Sequence, residues 1–316
     1  MLVSLKPILD KANRGRYAVG AFNINNLEAL RAILDAAVAS RAPVVVQTSE
    51  GAIDYAGMDA LGGMVHGMVK DKKYAPIPVV FHLDHGKDPA LVERAIKSGW
   101  YTSVMIDGSI HPYRENVRVT KKIVAMAHAR GISVEAELGA IAGIEDFVSV
   151  AERDARFTNP DEAGRFVRDT KCDALAVAIG TAHGTFKFKG TPHLDIVRLR
   201  KIKAATRAPL VLHGASGVPH HLVTSLKTSC TILGDCDRLA DARGVPDSII
   251  SQAVRAGINK VNIDSDLRIA FTDALRRTIL KEKHIIDPRK LLGPTRDEMQ
   301  KVVAQKMKLL GCAGKA

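Results

Sequence analysis

Eight short apolar runs recur along the 316 residues, each followed by a longer amphipathic stretch. Val19–Phe22, Val44–Gln47, Val79–Leu83, Ser103–Asp107, Ser133–Leu138, Ala174–Ile179, Leu210–His213 and Lys260–Ile263 have the length of strands. They are nearly continuous in apolar character rather than alternating, as expected when both faces of a parallel sheet are covered. The stretches between them read as helices. Residues 26–40 put Leu27, Leu30, Ile33 and Leu34 on one face behind Asn26 as N-cap, and Asp88 caps Pro89–Ser98. Asn159-Pro160-Asp161-Glu162 opens a helix over Asp161–Thr170 with a capping residue and acids in its first turn. Repeated β–α units with no Pro- or Ser-rich linker predict an α/β chain forming one (β/α)8 TIM barrel over residues 1–316. A doubly wound open sheet is the competing architecture. Residues 227–245 read as an insertion after the seventh strand, where Gly234, Asp235, Asp237 and Gly244 interrupt the periodicity. Residues 280–316 read as an extra C-terminal helical arm.

Composition narrows what such a barrel serves. Apolar residues are 46% and charged residues 25%, enough for a large core under a charged surface. No apolar run approaches the ~18 residues that span a bilayer. Residues 1–10 carry Lys6 and Asp10 and no signal-peptide core, so a cytoplasmic protein without membrane contact is expected. Cys172, Cys230, Cys236 and Cys312 form no CxxC pair and are expected as reduced thiols. The formal net charge is +12, but the basic residues are dispersed and aromatics are only 4%. With no arginine-rich arm or helix-turn-helix spacing, no nucleic-acid partner is expected. An anionic substrate accounts for the charge equally well.

The polar residues that suggest chemistry stand at the strand ends: Asn23, Ser49, Asp84, His85, Asp107, Glu135, Glu137, His183, His213, Asn262, Asp264 and Asp266. In a barrel the C-terminal ends of the strands form the functional face. A lone strand-end histidine is usually a hydrogen-bonded core residue. Three, His85, His183 and His213, can converge on one zinc ion and leave its fourth position open, the catalytic arrangement. His82 is read as structural. The loops "GTAHG" (Gly180–Gly184) and "HGASG" (His213–Gly217) follow the sixth and seventh strands, where backbone N–H groups can cradle a phosphate.

The motifs "FHLDHG", "VEAELGAIAGIED", "AIGTAHG", "LHGASG" and "KVNIDSD" occur in this order, between "GAFNINNLEAL" and "DPRKLLGPTRDEMQKVVAQKMKLLG". Over essentially the whole chain this pattern resembles the class II, metal-dependent fructose-bisphosphate aldolases, in the branch that also holds tagatose-bisphosphate aldolases. The resemblance implies a glycolytic and gluconeogenic lyase that reversibly cleaves fructose 1,6-bisphosphate to dihydroxyacetone phosphate and glyceraldehyde 3-phosphate. It implies that His85, His183 and His213 hold the catalytic Zn2+, and that Asp84 takes the C4 hydroxyl proton. Glu145, on a mobile loop, would exchange a proton with the enediolate carbon. Gly184, Gly214, Ala215 and Ser216 would cradle the dihydroxyacetone phosphate group, with Lys187 close by. Asn262, Asn23 and Ser49 would contact substrate hydroxyls, and Asp107 and Glu137 a second or displaced metal. Family members also use a monovalent cation, Na+ or K+, near the phosphate, and form homodimers or homotetramers.

Fructose and tagatose 1,6-bisphosphates differ only at C4, so polar groups must tell them apart. Asp264, Ser265 and Arg268 at the eighth strand end, with Arg289 of "DPRK", resemble the fructose-type set. Two arginines suit bidentate phosphate binding. An Asp264–Arg268 ion pair on the helix's first turn is the plainer reading. A tagatose-bisphosphate aldolase and, more remotely, a barrel zinc hydrolase are the alternatives. Ligand type does not separate zinc from cobalt or iron.

Overall fold

The computed structural model describes residues 1–140, 142–145, 148–150, 156–183, 194–217, 219–233 and 244–316. In chain order its elements are α1 (Leu5–Gly15), β1 (Val19–Asn23), α2 (Leu27–Ser40), β2 (Val44–Thr48), α3 (Glu50–Ala56), α4 (Met58–Val69), β3 (Val79–Gly86), α5 (Pro89–Ser98), β4 (Ser103–Ile106), α6 (Tyr113–His128) and β5 (Ser133–Leu138). There follow β6 (Ala142–Glu145), β7 (Val148–Val150), α7 (Pro160–Thr170), β8 (Ala174–Val177), β9 (Ala182–His183), α8 (Ile196–Thr206), β10 (Leu210–Leu212), α9 (His220–Leu233), α10 (Asp247–Ala256), β11 (Ile258–Ile263), α11 (Ser265–Lys281) and α12 (Pro288–Leu309). Strands β1, β2, β3, β4, β5, β8, β10 and β11 close into a parallel barrel, the expected TIM architecture.

Register explains why the strands look apolar yet carry a polar interior. Pairings such as Ala21↔Val45, Gln47↔His82, Met105↔Glu135, Glu137↔Ala176 and Ala21↔Asn262 align one set of alternating residues toward the barrel axis. The opposite set, including Phe22, Phe81, Val104, Leu175, Leu212 and Val261, is buried under the surrounding helices. The capping chemistry is local and forms as expected. Asn26 accepts from the Ala29 amide, Asp88 from Ala90, and Asn159 from Asp161 and Glu162.

Four details differ from expectation. Leu27 opens α2 and is half exposed, so the buried stripe begins at Ala29 and runs through Leu30, Ile33 and Leu34. Helix α9 continues through residue 233, so the stretch read as an irregular insertion is helical up to Leu233; residues 234–243 lie outside the described residues. Helix α11 runs to Lys281, and the arm beyond it is α12, which packs along α2 and α11 and buries Met299, Val302, Val303 and Met307. The segment of Glu145, expected as a mobile loop, carries a short strand: β6 pairs antiparallel with β7 (Glu145↔Val148) and parallel with β9 (Gly143↔His183).

The small sheet is launched from β5 by Gly139. Its φ of 97° is left-handed, and a Cβ there would lie 2.8 Å from the Arg156 carbonyl oxygen and 2.9 Å from Ala178 Cβ. Ala140 and Arg156, just beyond, exchange both backbone hydrogen bonds. A side chain at this position meets strain and backbone together. Gly139→Ala should therefore destabilise the protein by about 1–3 kcal/mol in urea denaturation; an unchanged midpoint would contradict this account of the turn.

Candidate active site

The strand β3 carries three of the polar residues singled out in the sequence, and regular alternation would send Asp84 and His85 to opposite faces. The pairing with β4 shows how both are used. Leu83 pairs with Val104, but the next pair is Gly86↔Ile106, so β3 holds one extra residue. At this bulge His85 takes φ 47°, a left-handed conformation rare for a residue with a Cβ. The bulge turns the His85 ring toward the same space as Asp84. Both are nearly fully buried.

Asp84 is held from three strands. Its Oδ1 accepts from Asn262 Nδ2 at 2.8 Å, and its Oδ2 from Gln47 Nε2 at 3.0 Å and Asn23 Nδ2 at 3.3 Å. Asn262 in turn accepts at Oδ1 from Lys260 Nζ at 2.8 Å, and Lys260 sits 2.9 Å from Glu135 Oε2. Lys260 and Glu135 are both completely buried inside the barrel. Burial alone would raise the Glu135 pKa, but Lys260, His213 and His82 outweigh it and hold the carboxyl well below its usual range. His82 joins this layer. Its Nδ1 lies 2.8 Å from Ser103 Oγ and its Nε2 3.7 Å from Glu135, and burial with the neighbouring Lys260 charge pushes its pKa far down.

The two described candidate metal ligands meet above that layer. His213 Nε2 lies 2.8 Å from Glu135 Oε1, which assigns its proton there and leaves a lone pair on Nδ1. His85 Nδ1 lies 3.3 Å from Asp107 Oδ2, leaving the lone pair on Nε2. The two lone-pair nitrogens face one another at 2.5 Å. A proton on one of the two nitrogens, or a metal ion bound beside them, would reconcile such a contact. Burial and the adjacent His85 lower the His213 pKa, which keeps His213 a neutral imidazole able to ligate a metal. Carboxylates behind ring nitrogens are the usual way of orienting histidine ligands. Ligand atoms of Asp84, His85 and His213 all lie within 4.8 Å of one another, and so do those of His85, Asp107 and Glu137. Asp107 is also held well below the usual carboxylate range: His85 and the Ser109 amide overcome the opposing effect of burial.

Beyond β10 the chain runs through Gly214 (φ 61°), Ala215, Ser216 and Gly217. Ser216 Oγ accepts from the Asp264 amide at 3.3 Å, and its carbonyl accepts from the Val245 amide at 3.0 Å. A Cβ on Gly244 would fall 2.3 Å from the Gly217 carbonyl carbon, so only glycine lets that segment lie against the loop. Ser49 caps α3 by accepting from Ala52, and Ser265 is buried in the first turn of α11.

The structure does not bring every expected residue to this place. Arg289 is 90% exposed and paired with Asp287, because the α12 N-terminus stands on the surface. Asp264 Oδ2 and Arg268 Nη2 are 2.7 Å apart, which is the ion pair anticipated as the plainer reading. Gly184 and Lys187 lie outside the described residues, as do the side chains of His183 and Glu145. Residues that sequence reasoning left without a role are Gln47, Glu135 and Lys260. A lysine and a glutamate inside otherwise apolar strands were the signal.

The family model described as "Fructose-bisphosphate aldolase class-II" matches residues 3–315. The chain is 48% identical to a fructose-bisphosphate aldolase of Helicobacter pylori (strain ATCC 700392 / 26695), with all of both chains covered. It is 47% identical to a fructose-bisphosphate aldolase of Thermus caldophilus, again over the full length of both. Among solved structures it is similar to the YdjI aldolase from Escherichia coli K12, at 30% identity and a TM-score of 0.79 over 100% of each chain.

Lys260 offers a direct test of the buried network. Lys260→Met strands Glu135 as a buried, uncompensated carboxylate, and removing one partner of such a pair typically costs about 3–5 kcal/mol. A loss below about 1 kcal/mol in denaturant unfolding would mean that the pair does not compensate Glu135.

Proposed function

The chain belongs to the class-II fructose-bisphosphate aldolase family, and from that premise we propose how its residues divide the work. It is a lyase that cleaves fructose 1,6-bisphosphate reversibly to dihydroxyacetone phosphate and glyceraldehyde 3-phosphate. The family is metal-dependent, and the metal is proposed to be Zn2+ held by His85, His183 and His213. When bound, it supplies the positive charge that stabilises the enediolate left on C3. The paired ring nitrogens of His85 and His213 beside Asp84 are the observation that carries this reading.

Asp84 takes the C4 hydroxyl proton as the C3–C4 bond breaks. The C4 oxygen becomes the aldehyde of glyceraldehyde 3-phosphate, and the bonding pair stays on the C3 side as enediolate. Three amides, from Asn23, Gln47 and Asn262, fix the carboxylate of Asp84 so that it need not reorganise during the transfer. Glu145 then delivers a proton to C3 and completes dihydroxyacetone phosphate. The Gly214-Ala215-Ser216 backbone, with Gly184 and Lys187, holds the phosphate on the C1 side, with Na+ or K+ nearby. Asn23, Ser49 and Asn262 contact substrate oxygens, while Asp107 and Glu137 orient His85 or hold a displaced metal. Asp264, oriented by Arg268, reads the C4 configuration, with Ser265 beside it.

One domain, 1–316, carries all of this, with 280–316 as its C-terminal part. Assembly as a homodimer or homotetramer would cover Ile286, an apolar side chain 93% exposed next to Asp287. A cytoplasmic setting agrees with the buried free thiols Cys172 and Cys312, whose pKa values are pushed up by burial to about 12 and about 11. Among the described residues no helix is long and apolar enough to cross a membrane.

Chelation should abolish cleavage of fructose 1,6-bisphosphate, and zinc or cobalt should restore it. Full activity after metal stripping, or a borohydride-trapped lysine adduct, would refute the reading. Asp84→Ala should lose cleavage while still binding substrate, whereas Glu145→Ala should chiefly slow proton exchange at C3 of dihydroxyacetone phosphate, each by about 10²–10⁴-fold. Equal losses of both activities in both variants would contradict the division of labour. Asp264→Ala should narrow the preference for fructose over tagatose bisphosphate by about 1–3 kcal/mol in relative kcat/KM; wild type that prefers the tagatose epimer would overturn that assignment.

A further inference from the structure

Gly217 ends the loop after β10, and its amide donates to Asp266 Oδ2 at 2.9 Å. Asp266 lies in the first turn of α11 and is completely buried. Its other oxygen, Oδ1, is 3.4 Å from Lys306 Nζ, which is also 3.0 Å from Asp247 Oδ1. Lys306 belongs to α12, far along the chain from the loop, and is only 7% exposed. It presses so closely on the loop that a Cβ on Gly217 would come within 2.5 Å of Nζ. A buried carboxylate directly behind an anion-binding loop is adverse. It grips the Gly217 amide well, but its charge repels a phosphate dianion across a region of low dielectric. The ammonium of Lys306 offsets that charge from the far side while leaving Oδ2 to the loop.

We propose that Lys306 is a positioning residue for the phosphate cradle, neutralising Asp266 so that the loop is anchored without repelling the substrate phosphate. The C-terminal helix α12 thereby contributes to substrate affinity, although it presents no group to the substrate. The inference rests on the reading of Gly214-Ala215-Ser216 as that cradle. Asp266 can hold the loop only as an acceptor, and an asparagine oxygen would accept the same hydrogen bond without the charge. The role is thus electrostatic and separable from packing.

The test uses the full-length, zinc-loaded enzyme, with KM and kcat for fructose 1,6-bisphosphate, calorimetric affinity for dihydroxyacetone phosphate, and melting midpoints. Lys306→Met should raise KM about tenfold, the scale of one uncompensated charge near the binding site, with kcat nearly unchanged. Lys306→Arg, which keeps the charge, should stay close to wild type. The double variant Lys306→Met/Asp266→Asn should recover most of the lost affinity, since both charges are then gone. A lowered melting midpoint with unchanged KM in Lys306→Met, or no recovery in the double variant, overturns the proposal. Should Lys306→Met not fold, Asp266→Asn alone decides: it should lower KM, and an unchanged or raised KM overturns the proposal. Ala215→Pro, which removes one backbone N–H of the cradle, separates the two levels. If it leaves KM unaltered, the cradle reading fails; if it raises KM while the Lys306 and Asp266 variants do not, this inference alone fails.

Discussion

Glu135 sits at the centre of a closed barrel with no solvent contact, and Lys260 beside it is the condition for that. A lone carboxylate there would have to take up a proton or forfeit several kcal/mol. With Lys260 at 2.9 Å it stays ionised, and an ionised Glu135 can accept from His213 Nε2. That contact sets the His213 tautomer and aims Nδ1 at His85. The same lysine passes a second hydrogen bond to Asn262, which hands one on to Asp84. One ion pair therefore orients both a metal-ligand candidate and the acid–base candidate. Apolar residues of similar volume would pack as stably. They would give the imidazole and the carboxylate no fixed direction.

Strand β3 meets a second constraint, geometric rather than electrostatic. Alternation would offer the barrel interior only one of two consecutive residues, yet both Asp84 and His85 face the candidate site. The extra residue between Leu83 and Gly86 solves this at the cost of a left-handed His85, a strain of about 1–3 kcal/mol that only a surrounding structure can hold in place. The neighbours do hold it. Asp107 sits behind the ring, and a Cβ on Gly86 would strike the Met105 carbonyl oxygen at 2.5 Å, so the strand beyond the bulge lies tight against β4.

Charge is partitioned across the mouth of the barrel. The side with the candidate metal ligands is crowded with carboxylates, Asp84, Asp107, Glu135 and Glu137, which favour a cation. On the other side, beneath the 213–217 loop, the Asp266 carboxylate accepts from the Gly217 amide and is matched by Lys306. A ketohexose bisphosphate carries its phosphates at its two ends and its reacting oxygens between them. The two halves of the site suit those two needs.

Much of this was readable before any coordinates. The near-continuous apolar strands implied burial on both faces, and their repetition with helices implied a parallel barrel. The caps Asn26, Asp88 and Asn159 act within three residues of themselves, so local chemistry sufficed. The candidate residues followed from their position at strand ends, because the chain direction in a barrel decides which end is open. What the sequence could not contain was partnership across the barrel. Hydrophobic periodicity tells which face of a strand is buried, but closure and register decide which residue stands opposite, so the Lys260–Glu135 pair was invisible. The same holds for His85, whose direction depends on a bulge defined against β4, and for Glu145, which lies in a strand because β7 and β9 flank it. Arg289 remained on the surface because the packing of α12 on α2 and α11, not its motif, sets where it stands. Lys306 reaches the 213–217 loop for the same reason: a helix from the end of the chain is laid across the barrel, and only tertiary packing brings its ammonium to Asp266.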